Sequence, residues 1–505
     1  MRKKAMTVTA HLLIIALLAL AACDTTVTPG DAGTQEGPVR DAVAGMSGVD
    51  NRFILVTDQG AEHRIAAAGF EVAHALADGT VLIVTGQDAD QAGALADVPG
   101  VRHVTPDFAF TLDEIGIEAF TRHEPAAALR SGVSSPEFWE LQWEKPLIGI
   151  PEAHDIATGI GTRIAIIDTG IQPGHPDLTN LNESLSVAFI GNERIDAGEP
   201  TDLFGHGTMV AGIAAAQGVG VLGTAPGAEL VSIRVFDADG GSSASDILLA
   251  LEYAAEIEAD VANLSLGTVP LPPDANAGGI RGAIERVVNG VVRSGTVITA
   301  AGGNSATDLQ HGGEWAAYTS IAGTIGASAT GADDLLTFYS NYGTNAIDVA
   351  APGGGMADPV DSYCGALEYW YGGGEIVEPG YETEICFLFP GEPFPVPVPP
   401  EYAVECVPCT APELPFPLNG ILATAYFPAS DEHGYGWQGG TSFAAPHVAG
   451  LVALVREIDP GMHPRRVENL IKQGAEGAPG RSDPAFGAGR INALYTLNAV
   501  RGSSE

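Results

Sequence analysis

The stretch Arg163-Ile-Ala-Ile-Ile-Asp168 is an apolar run without the alternation of polar and apolar residues seen in half-exposed strands. Such a run is typical of a parallel strand that is covered on both faces. Similar runs follow at residues 229–236, 261–266 and 295–301, and helix-like stretches lie between them at 207–217, 243–259 and 281–294. This alternation predicts a doubly wound α/β fold with a mostly parallel sheet. The functional site should lie beyond the carboxyl ends of its strands.

The composition is that of a folded chain with more than one domain. The 505 residues are 45% hydrophobic and 17% charged, which supplies apolar side chains for a large core and excludes general disorder. Acidic residues outnumber basic residues by 63 to 23, and the formal net charge is −40 at pH 7. Because so acidic a chain repels phosphate groups, we expect no nucleic-acid partner.

The beginning of the chain has the pattern of an export signal. Basic residues at positions 2–4 precede an apolar run over residues 11–22, which is short for a membrane-spanning helix, and we predict a signal peptide over residues 1–22. Leu20-Ala-Ala-Cys23 resembles the lipobox of bacterial lipoproteins. We therefore expect lipid attachment at Cys23, a membrane anchor and a tether over residues 23–49. The alternative is cleavage after Ala21, which would leave Cys23 as an ordinary thiol.

Residues 50–112 have the pattern of a small α+β domain. Their strand-like and helix-like stretches follow in the order β-α-β-β-α-β, with strands near 53–57, 70–75, 79–86 and 101–104. That order predicts a ferredoxin-like unit. Residues 113–137 show no such periodicity and are predicted to be a linker, which precedes a larger domain over residues 138–505.

Three short segments contribute a carboxylate, an imidazole and a hydroxyl. Asp168 ends its predicted strand, His206 lies in Gly205-His-Gly-Thr-Met-Val-Ala-Gly212, and Ser442 lies in Gly440-Thr-Ser-Phe-Ala-Ala-Pro-His-Val-Ala-Gly450. The glycines before Ser442 permit a sharp turn, and the helix that follows would direct its positive end toward an oxyanion beside this serine.

Together these segments resemble the subtilisin-like serine peptidases, in which they follow in the order Asp, His, Ser. The resemblance runs from about residue 142 to 492. It implies an endopeptidase that acts on polypeptides and requires no cofactor, with Ser442 as nucleophile, His206 as general base and Asp168 as the group that orients the imidazole. It also implies that the small domain is an inhibitory propeptide, removed by self-processing within residues 113–137.

The same resemblance assigns further site residues. Asn304 would donate its side-chain amide to the oxyanion, but two glycines precede it here where the family pattern has one. Either Asn304 still reaches the site, or Gly303 takes its position and the donor is lost. The positions assigned to substrate binding are Leu264, Ser265, Leu266, Gly267 and Gly313. The resemblance implies room there for a large apolar P1 side chain.

An insertion over about 354–420 separates a family-like turn from a later strand. It holds Cys364, Cys386, Cys406 and Cys409. In an exported chain an even number of clustered cysteines predicts two disulfides, with three possible pairings, and a metal site is the lesser alternative. The insertion would restrict substrates, dock a partner or simply elaborate the surface.

Calcium and the overall activity leave alternatives open. Many relatives bind calcium in a loop after the histidine helix, but residues 214–223 are few and include no Asp or Asn, so we expect no metal there. Calcium binding elsewhere in the chain stays open.

Two alternatives to a general endopeptidase stay open as well. One is a surface lipoprotein that keeps the fold without cutting, and the other is a processing peptidase for one precursor.

Overall fold

The computed structural model describes residues 48–86, 91–111, 136–196, 201–266, 279–311, 313, 315–355, 384–389, 392–397, 419–477 and 483–502. The predicted signal peptide, Cys23, most of the tether and linker, Gly267, Cys364, Cys406 and Cys409 lie outside these residues, as does the side chain of Cys386. Within the described ranges, none of the helices combines the length and the apolar character needed to cross a membrane.

The first described unit contains the six elements that the sequence pattern predicts. Its elements are β1 (Gly48–Thr57), α1 (Glu62–Ala67), β2 (Glu71–Leu76), β3 (Val81–Thr85), α2 (Ala92–Ala96) and β4 (Val101–Thr111). The strands form an antiparallel sheet in the order β2-β3-β1-β4. Alternate residues of β1 face opposite sides: Phe53 packs with the helix residues Ile65 and Leu95, whereas Ile54 packs into the core of the larger unit.

The larger unit is built on a sheet of eight strands. The eight strands are β5 (Arg163–Asp168), β6 (Val187–Ile190), β7 (Glu193–Ile195), β8 (Glu229–Arg234), β10 (Val261–Leu264), β11 (Val297–Ala301), β12 (Thr324–Thr330) and β13 (Val349–Pro352), and a ninth strand, β9 (Gly241–Ser243), lies outside this sheet. The order is β13-β12-β11-β10-β5-β8-β6-β7, and every neighbouring pair is parallel except β6 with β7. The remaining strand, β9, pairs with β4 of the small unit instead.

Helices cover both faces of this sheet. The described helices are α3 (Glu144–Leu147), α4 (Ile150–Ala153), α5 (His206–Ala215), α6 (Ala244–Glu256), α7 (Ile280–Ser294), α8 (Thr441–Ile458), α9 (Pro464–Gly474) and α10 (Ala493–Gly502). One apolar core joins the sheet to α6, α7 and the small unit, and a second joins it to α5, α8, α9 and α10. The predicted doubly wound α/β fold is thus confirmed.

Two antiparallel ribbons lie outside the main sheet. One pairs β14 (Glu384–Phe389) with β15 (Glu392–Pro397) within the insertion. The other pairs β16 (Ile421–Phe427) with β17 (Glu432–Gln438). Ile421, Ala423 and Ala425 of β16 pack against Met209 and Ile213 of α5, so this hairpin covers the helix that begins at His206.

Candidate active site

Three element ends bring the predicted triad residues together. Asp168 is the last residue of β5, His206 is the first of α5, and Ser442 is in the first turn of α8. Parallel strands end at one edge of the sheet and the following helices begin there, so the fold assembles distant motifs at this edge. All three side chains are buried.

Asp168 holds His206 directly. The Nδ1 atom of His206 lies 2.7 Å from Oδ1 of Asp168, which also accepts the backbone N–H of Thr169 at 2.7 Å. Burial lowers the pKa of His206, but the charge and hydrogen bond of Asp168 oppose this effect, and the pKa is raised overall from its ordinary value of 6.5. The other ring nitrogen, Nε2, is buried and has no hydrogen-bond partner among the described residues. The Asp168 bond therefore leaves Nε2 as the nitrogen that can take up a proton.

The hydroxyl of Ser442 is bonded to the protein rather than to His206. Its Oγ donates to the backbone carbonyl of Ser265 at 3.0 Å. The His206 ring packs edge-on against Phe443, the next residue of α8, with 5.5 Å between ring centroids. The imidazole and the hydroxyl thus lie on adjacent elements, α5 and α8. Catalytic hydrogen bonds are often open in the absence of substrate.

A second buried carboxylate, which the sequence analysis missed, joins the two loops of the triad. Asp202 accepts hydrogen bonds from the backbone N–H groups of Gly205 (2.7 Å) and Thr208 (2.9 Å) and from the hydroxyl of Thr169 (2.8 Å). Its negative charge also raises the pKa of His206. The only signal in the sequence is an acidic residue shortly before the Gly205–Gly212 motif, which does not by itself identify a buried acceptor.

Asn304 lies against the start of α8. Its Oδ1 accepts the backbone N–H of Thr441 at 2.9 Å and the hydroxyl of the same residue at 2.8 Å. Gly303 adopts a left-handed φ of 97° and donates its N–H to the Thr441 hydroxyl at 3.0 Å. The extra glycine is therefore taken up by the turn, and the side chain that reaches the residue before Ser442 is that of Asn304.

Asn341 is another polar residue that the sequence analysis did not identify. Its side chain is fully buried, donates to the carbonyl of Gly302 at 3.0 Å, and accepts the N–H groups of Ser305 (3.0 Å) and Thr307 (2.9 Å). These bonds hold both sides of the loop that carries Asn304.

The residues assigned to substrate binding do not all lie in one place. Leu264, Ser265 and Leu266 are buried at the end of β10, beside Ser442, and Gly267 lies outside the described residues. Gly313 is exposed on a later loop, with a φ of 77°. The contact of Ser265 with Ser442 is what joins this set to the triad.

The short loop after α5 is closed by Asp177. This buried carboxylate accepts the N–H groups of Gly220 (2.8 Å) and Val221 (3.1 Å) and the hydroxyl of Tyr435 (2.8 Å). Val219 donates a further N–H to it. Protein donors thus contact both oxygens of Asp177. The described ranges also contain no cluster of three or more His, Cys, Asp or Glu residues suited to a metal ion.

Comparisons with known proteins show which family this chain resembles. The profile of the Subtilase family matches residues 159–489. Thermitase of Thermoactinomyces vulgaris is 36% identical over 223 residues, which are 44% of this chain and 73% of thermitase. The extracellular protease of Xanthomonas campestris pv. campestris is 30% identical over 402 residues, covering 72% of this chain and 56% of that protein. Among solved structures, the epidermin leader peptide processing serine protease of Staphylococcus aureus is alike in fold, with a TM-score of 0.62, 21% identity and coverage of 89% of this chain and 98% of that one.

Proposed function

This chain belongs to the Subtilase family and is a serine endopeptidase, and we propose that it is exported, cuts through Asp168, His206 and Ser442, and removes its own N-terminal unit. The observation that carries the proposal is the 2.7 Å bond between buried Asp168 and His206, set beside the helix turn that presents Ser442. A charged partner on Nδ1 fixes the tautomer in which Nε2 can accept a proton.

The proposed reaction gives each of these side chains one role. Ser442 Oγ attacks the substrate carbonyl as its proton passes to Nε2 of His206, and Asp168 stabilises the imidazolium that results. The oxyanion accepts hydrogen bonds from the Asn304 amide and from the Ser442 N–H, which belongs to the first turn of α8 and needs no partner within the helix. Nε2 then gives its proton to the leaving amine. Water hydrolyses the ester by the same transfers in reverse, which returns the proton to Ser442.

Contacts between the two units support the propeptide assignment. Asp107 of β4 is fully buried and accepts the hydroxyl of Ser245 at 2.6 Å and its backbone N–H at 3.2 Å, at the start of α6. His74 of β2 pairs with the carbonyl of Asn192 at 2.8 Å. The pairing of β4 with β9 extends one sheet across both units. The small unit is thus bound to the larger one through strand β4 and the buried carboxylate of Asp107, as an intramolecular inhibitor would be.

The ordered segments on either side of the linker bound the region of the proposed cut. The N–H groups of Glu137 and Phe138 donate to the carbonyls of Val219 (3.1 Å) and Gly220 (2.9 Å), so the chain is part of the catalytic unit from there onward. The last residue of β4 is Thr111. We therefore expect self-processing between residues 111 and 136.

The decisive experiment compares residues 24–505 with the same chain carrying Ser442→Ala. Intact mass is followed over time and both proteins are treated with a fluorophosphonate probe. A cut between residues 111 and 136 together with labelling, both absent in the variant, would support the proposal. A folded wild-type chain that is neither cut nor labelled would contradict it.

The oxyanion role of Asn304 has its own test. Asn304→Ala should lower kcat by about 10²–10³-fold, the loss known for the equivalent donor of subtilisin. It should also lower the melting temperature modestly, because Asn304 accepts two hydrogen bonds from Thr441. Asn289→Ala is the matched control, because the side chain of Asn289 donates along its own helix, α7, to the carbonyl of Glu285. Unchanged kinetics in Asn304→Ala would place the donor elsewhere.

Export and anchoring rest on the N-terminal pattern and on the relative that is named an extracellular protease. If Cys23 is acylated, Cys23→Ser should release the protein from the membrane fraction of cells that export it. Tight membrane binding by the variant would exclude the lipid anchor.

The disulfides of the insertion and the breadth of the activity are tested separately. We propose two disulfides among its four cysteines, which peptide mapping without reduction would identify and four free thiols would exclude. A panel of unrelated unfolded proteins separates the two kinds of peptidase. A general endopeptidase degrades most of the panel, whereas a processing enzyme for one precursor leaves nearly all of it intact.

A further inference from the structure

Helix α8 carries a proline one turn after Ser442. Pro446 lies inside the helix, which spans Thr441–Ile458. In an α-helix the carbonyl of Ser442 would accept the N–H of residue 446, and proline has none. The fold therefore needs another donor for this buried carbonyl, at the residue where the chemistry takes place.

Ser265 supplies that donor. Its hydroxyl lies 2.6 Å from the carbonyl oxygen of Ser442, and the Ser442 hydroxyl donates in return to the Ser265 carbonyl at 3.0 Å. This pair of bonds ties the first turn of α8 to the end of β10. Both residues are buried, so water does not replace either bond.

Two more buried side chains orient the Ser265 hydroxyl. The Nδ2 of Asn263 donates to Ser265 Oγ at 2.9 Å, and the hydroxyl of Thr299 donates to Asn263 Oδ1 at 3.0 Å. Because a serine hydroxyl has a single proton, accepting from Asn263 leaves that proton for the Ser442 carbonyl. The chain of bonds crosses from β11 through β10 to the helix, and each of its members is fully buried.

We propose that Ser265 is a positioning residue for the nucleophile: it supplies the hydrogen bond that Pro446 removes, and Asn263 and Thr299 aim its hydroxyl. This inference rests on the proposed role of Ser442. It differs from a role of Ser265 in substrate binding, because the atom it acts on is the enzyme's own carbonyl. Without the bond, the first turn of α8 would shift until the Ser442 carbonyl met another donor. The shift would move Oγ of Ser442 out of the position from which it attacks the substrate and gives its proton to Nε2 of His206.

The test is a double-mutant cycle on the mature enzyme with a chromogenic peptide substrate. Ser265→Ala should lower kcat by about 10- to 100-fold with little change in KM, because misplacement of a reacting atom acts on the chemical step. Pro446→Ala restores an N–H at position 446. In Ser265→Ala/Pro446→Ala the helix can bond the Ser442 carbonyl itself, so most of the lost kcat should return. A substrate-binding role would instead raise KM and would not be rescued.

A second variant covers the case in which Ser265→Ala does not fold. Thr299→Val removes the hydrogen bond from Thr299 to Asn263 without changing the helix. It should lower kcat less than Ser265→Ala does, and adding Pro446→Ala should restore part of that loss. Wild-type kcat in Ser265→Ala, or a loss that Pro446→Ala leaves unchanged, would overturn the inference. Fluorophosphonate labelling of the wild type at Ser442 keeps the two proposals apart. If labelling fails there, the proposed function itself is wrong.

Discussion

A Cβ atom on Gly207 would lie 2.1 Å from the carbonyl oxygen of Gly170, so the turn after Asp168 and the first turn of α5 touch backbone to backbone. The N–H of Gly207 donates to the hydroxyl of Thr169 at 2.8 Å across the same contact. The 2.7 Å distance between Asp168 and His206 depends on this approach.

Gly207→Ala should therefore separate the two triad residues. We expect a loss of kcat of about 10²-fold or more, since displacements near 1 Å have that effect. Gly290→Ala is the matched control: it is also in a helix, but its Cβ would meet only the end of the Arg293 side chain at 4.0 Å. That variant should keep full activity and gain about 0.5–1 kcal/mol in the free energy of unfolding. Wild-type activity in Gly207→Ala would show that the contact can relax.

The pH dependence follows from the two carboxylates near His206. Because its pKa is raised, the imidazole becomes protonated, and unable to accept the serine proton, at a pH above its ordinary value of 6.5. The acidic limb of log(kcat/KM) should thus lie above pH 6.5. Asp202→Asn removes one of the charges that raise this pKa and should move the limb toward lower pH. A limb that stays in place in this variant would mean that Asp202 has no electrostatic effect on His206.

Docking of the small unit should depend on Asp107. Its carboxylate also pairs with buried Arg52, Nε to Oδ2, at 2.6 Å. Asp107→Ala leaves that guanidinium and the backbone N–H of Ser245 unpaired, whereas the Ser245 hydroxyl keeps Oδ1 of Asn192 as an acceptor. The variant should reduce the free energy of unfolding of the uncut Ser442→Ala chain by about 3–5 kcal/mol, measured in urea. Asp58→Ala is the control, because its ion pair with Arg102 is exposed and should be worth less than about 1 kcal/mol. Equal losses in the two variants would argue against the Asp107 contact.

Acidic pH should not release the small unit through Asp107. Burial raises the pKa of this carboxyl, and the opposing charge of Arg52 does not cancel the effect. The folded chain therefore binds a proton more readily than the unfolded chain, so this group favours the docked state as pH falls and disfavours it as pH rises through the raised pKa. Urea unfolding of the Ser442→Ala chain across mildly acidic pH, compared with Asp107→Asn, measures this contribution. A stability that falls more steeply with acid in the wild type would contradict it.

Glu144 and Lys145 form a fully buried pair near the catalytic helices. Lys145 Nζ lies 3.8 Å from Glu144 Oε1 and also contacts the carbonyl of Ile213 and Nδ1 of His447. Burial lowers the pKa of Lys145 to about 8. Between this value and the ordinary 10.5 the unfolded chain holds the proton that the folded chain has lost, so this lysine makes stability rise with pH in that range.

Removing one partner of this pair should cost more than removing both. Lys145→Met leaves a buried carboxyl without its cation and should lower the free energy of unfolding by about 3–5 kcal/mol at pH 7, whereas Glu144→Gln/Lys145→Met should be close to neutral or stabilising. Denaturant unfolding of the single and double variants completes the cycle. Additive losses would show that the two charges do not stabilise each other.

Chelation tests the loop that Asp177 closes. Since its acceptors are occupied by protein donors, EDTA should leave the melting temperature of the wild type unchanged. Tyr435→Phe removes one donor and should cost about 0.5–1.5 kcal/mol, and the exposed Tyr495→Phe should cost almost nothing. A lower melting temperature of the wild type in EDTA would contradict this prediction.

Local pattern predicted much of the fold. The strand Arg163–Asp168 is observed with the predicted bounds, because its apolar run and its ends are encoded by adjacent residues. Strand β4 was predicted to end near Val104 but continues to Thr111, since its last residues pair with β9, more than a hundred positions later. The partner of β16 was missed because β17 has glycine at alternate positions, and only its pairing makes it a strand.

The residues of the candidate active site fall into two groups, those that short motifs predicted and those that only the structure revealed. Asp168, His206, Ser442 and Asn304 were predicted as site residues from short motifs, since the proposed chemistry requires particular residue types within a few positions. Asp202, Asn341, Asn263 and Thr299 stand in the sequence as ordinary polar residues. Each is buried, and a buried polar group must find a hydrogen-bond partner. Which partner it finds is decided only when segments that are distant in the chain meet, so the motifs came from the sequence and the groups that hold them came from the tertiary structure.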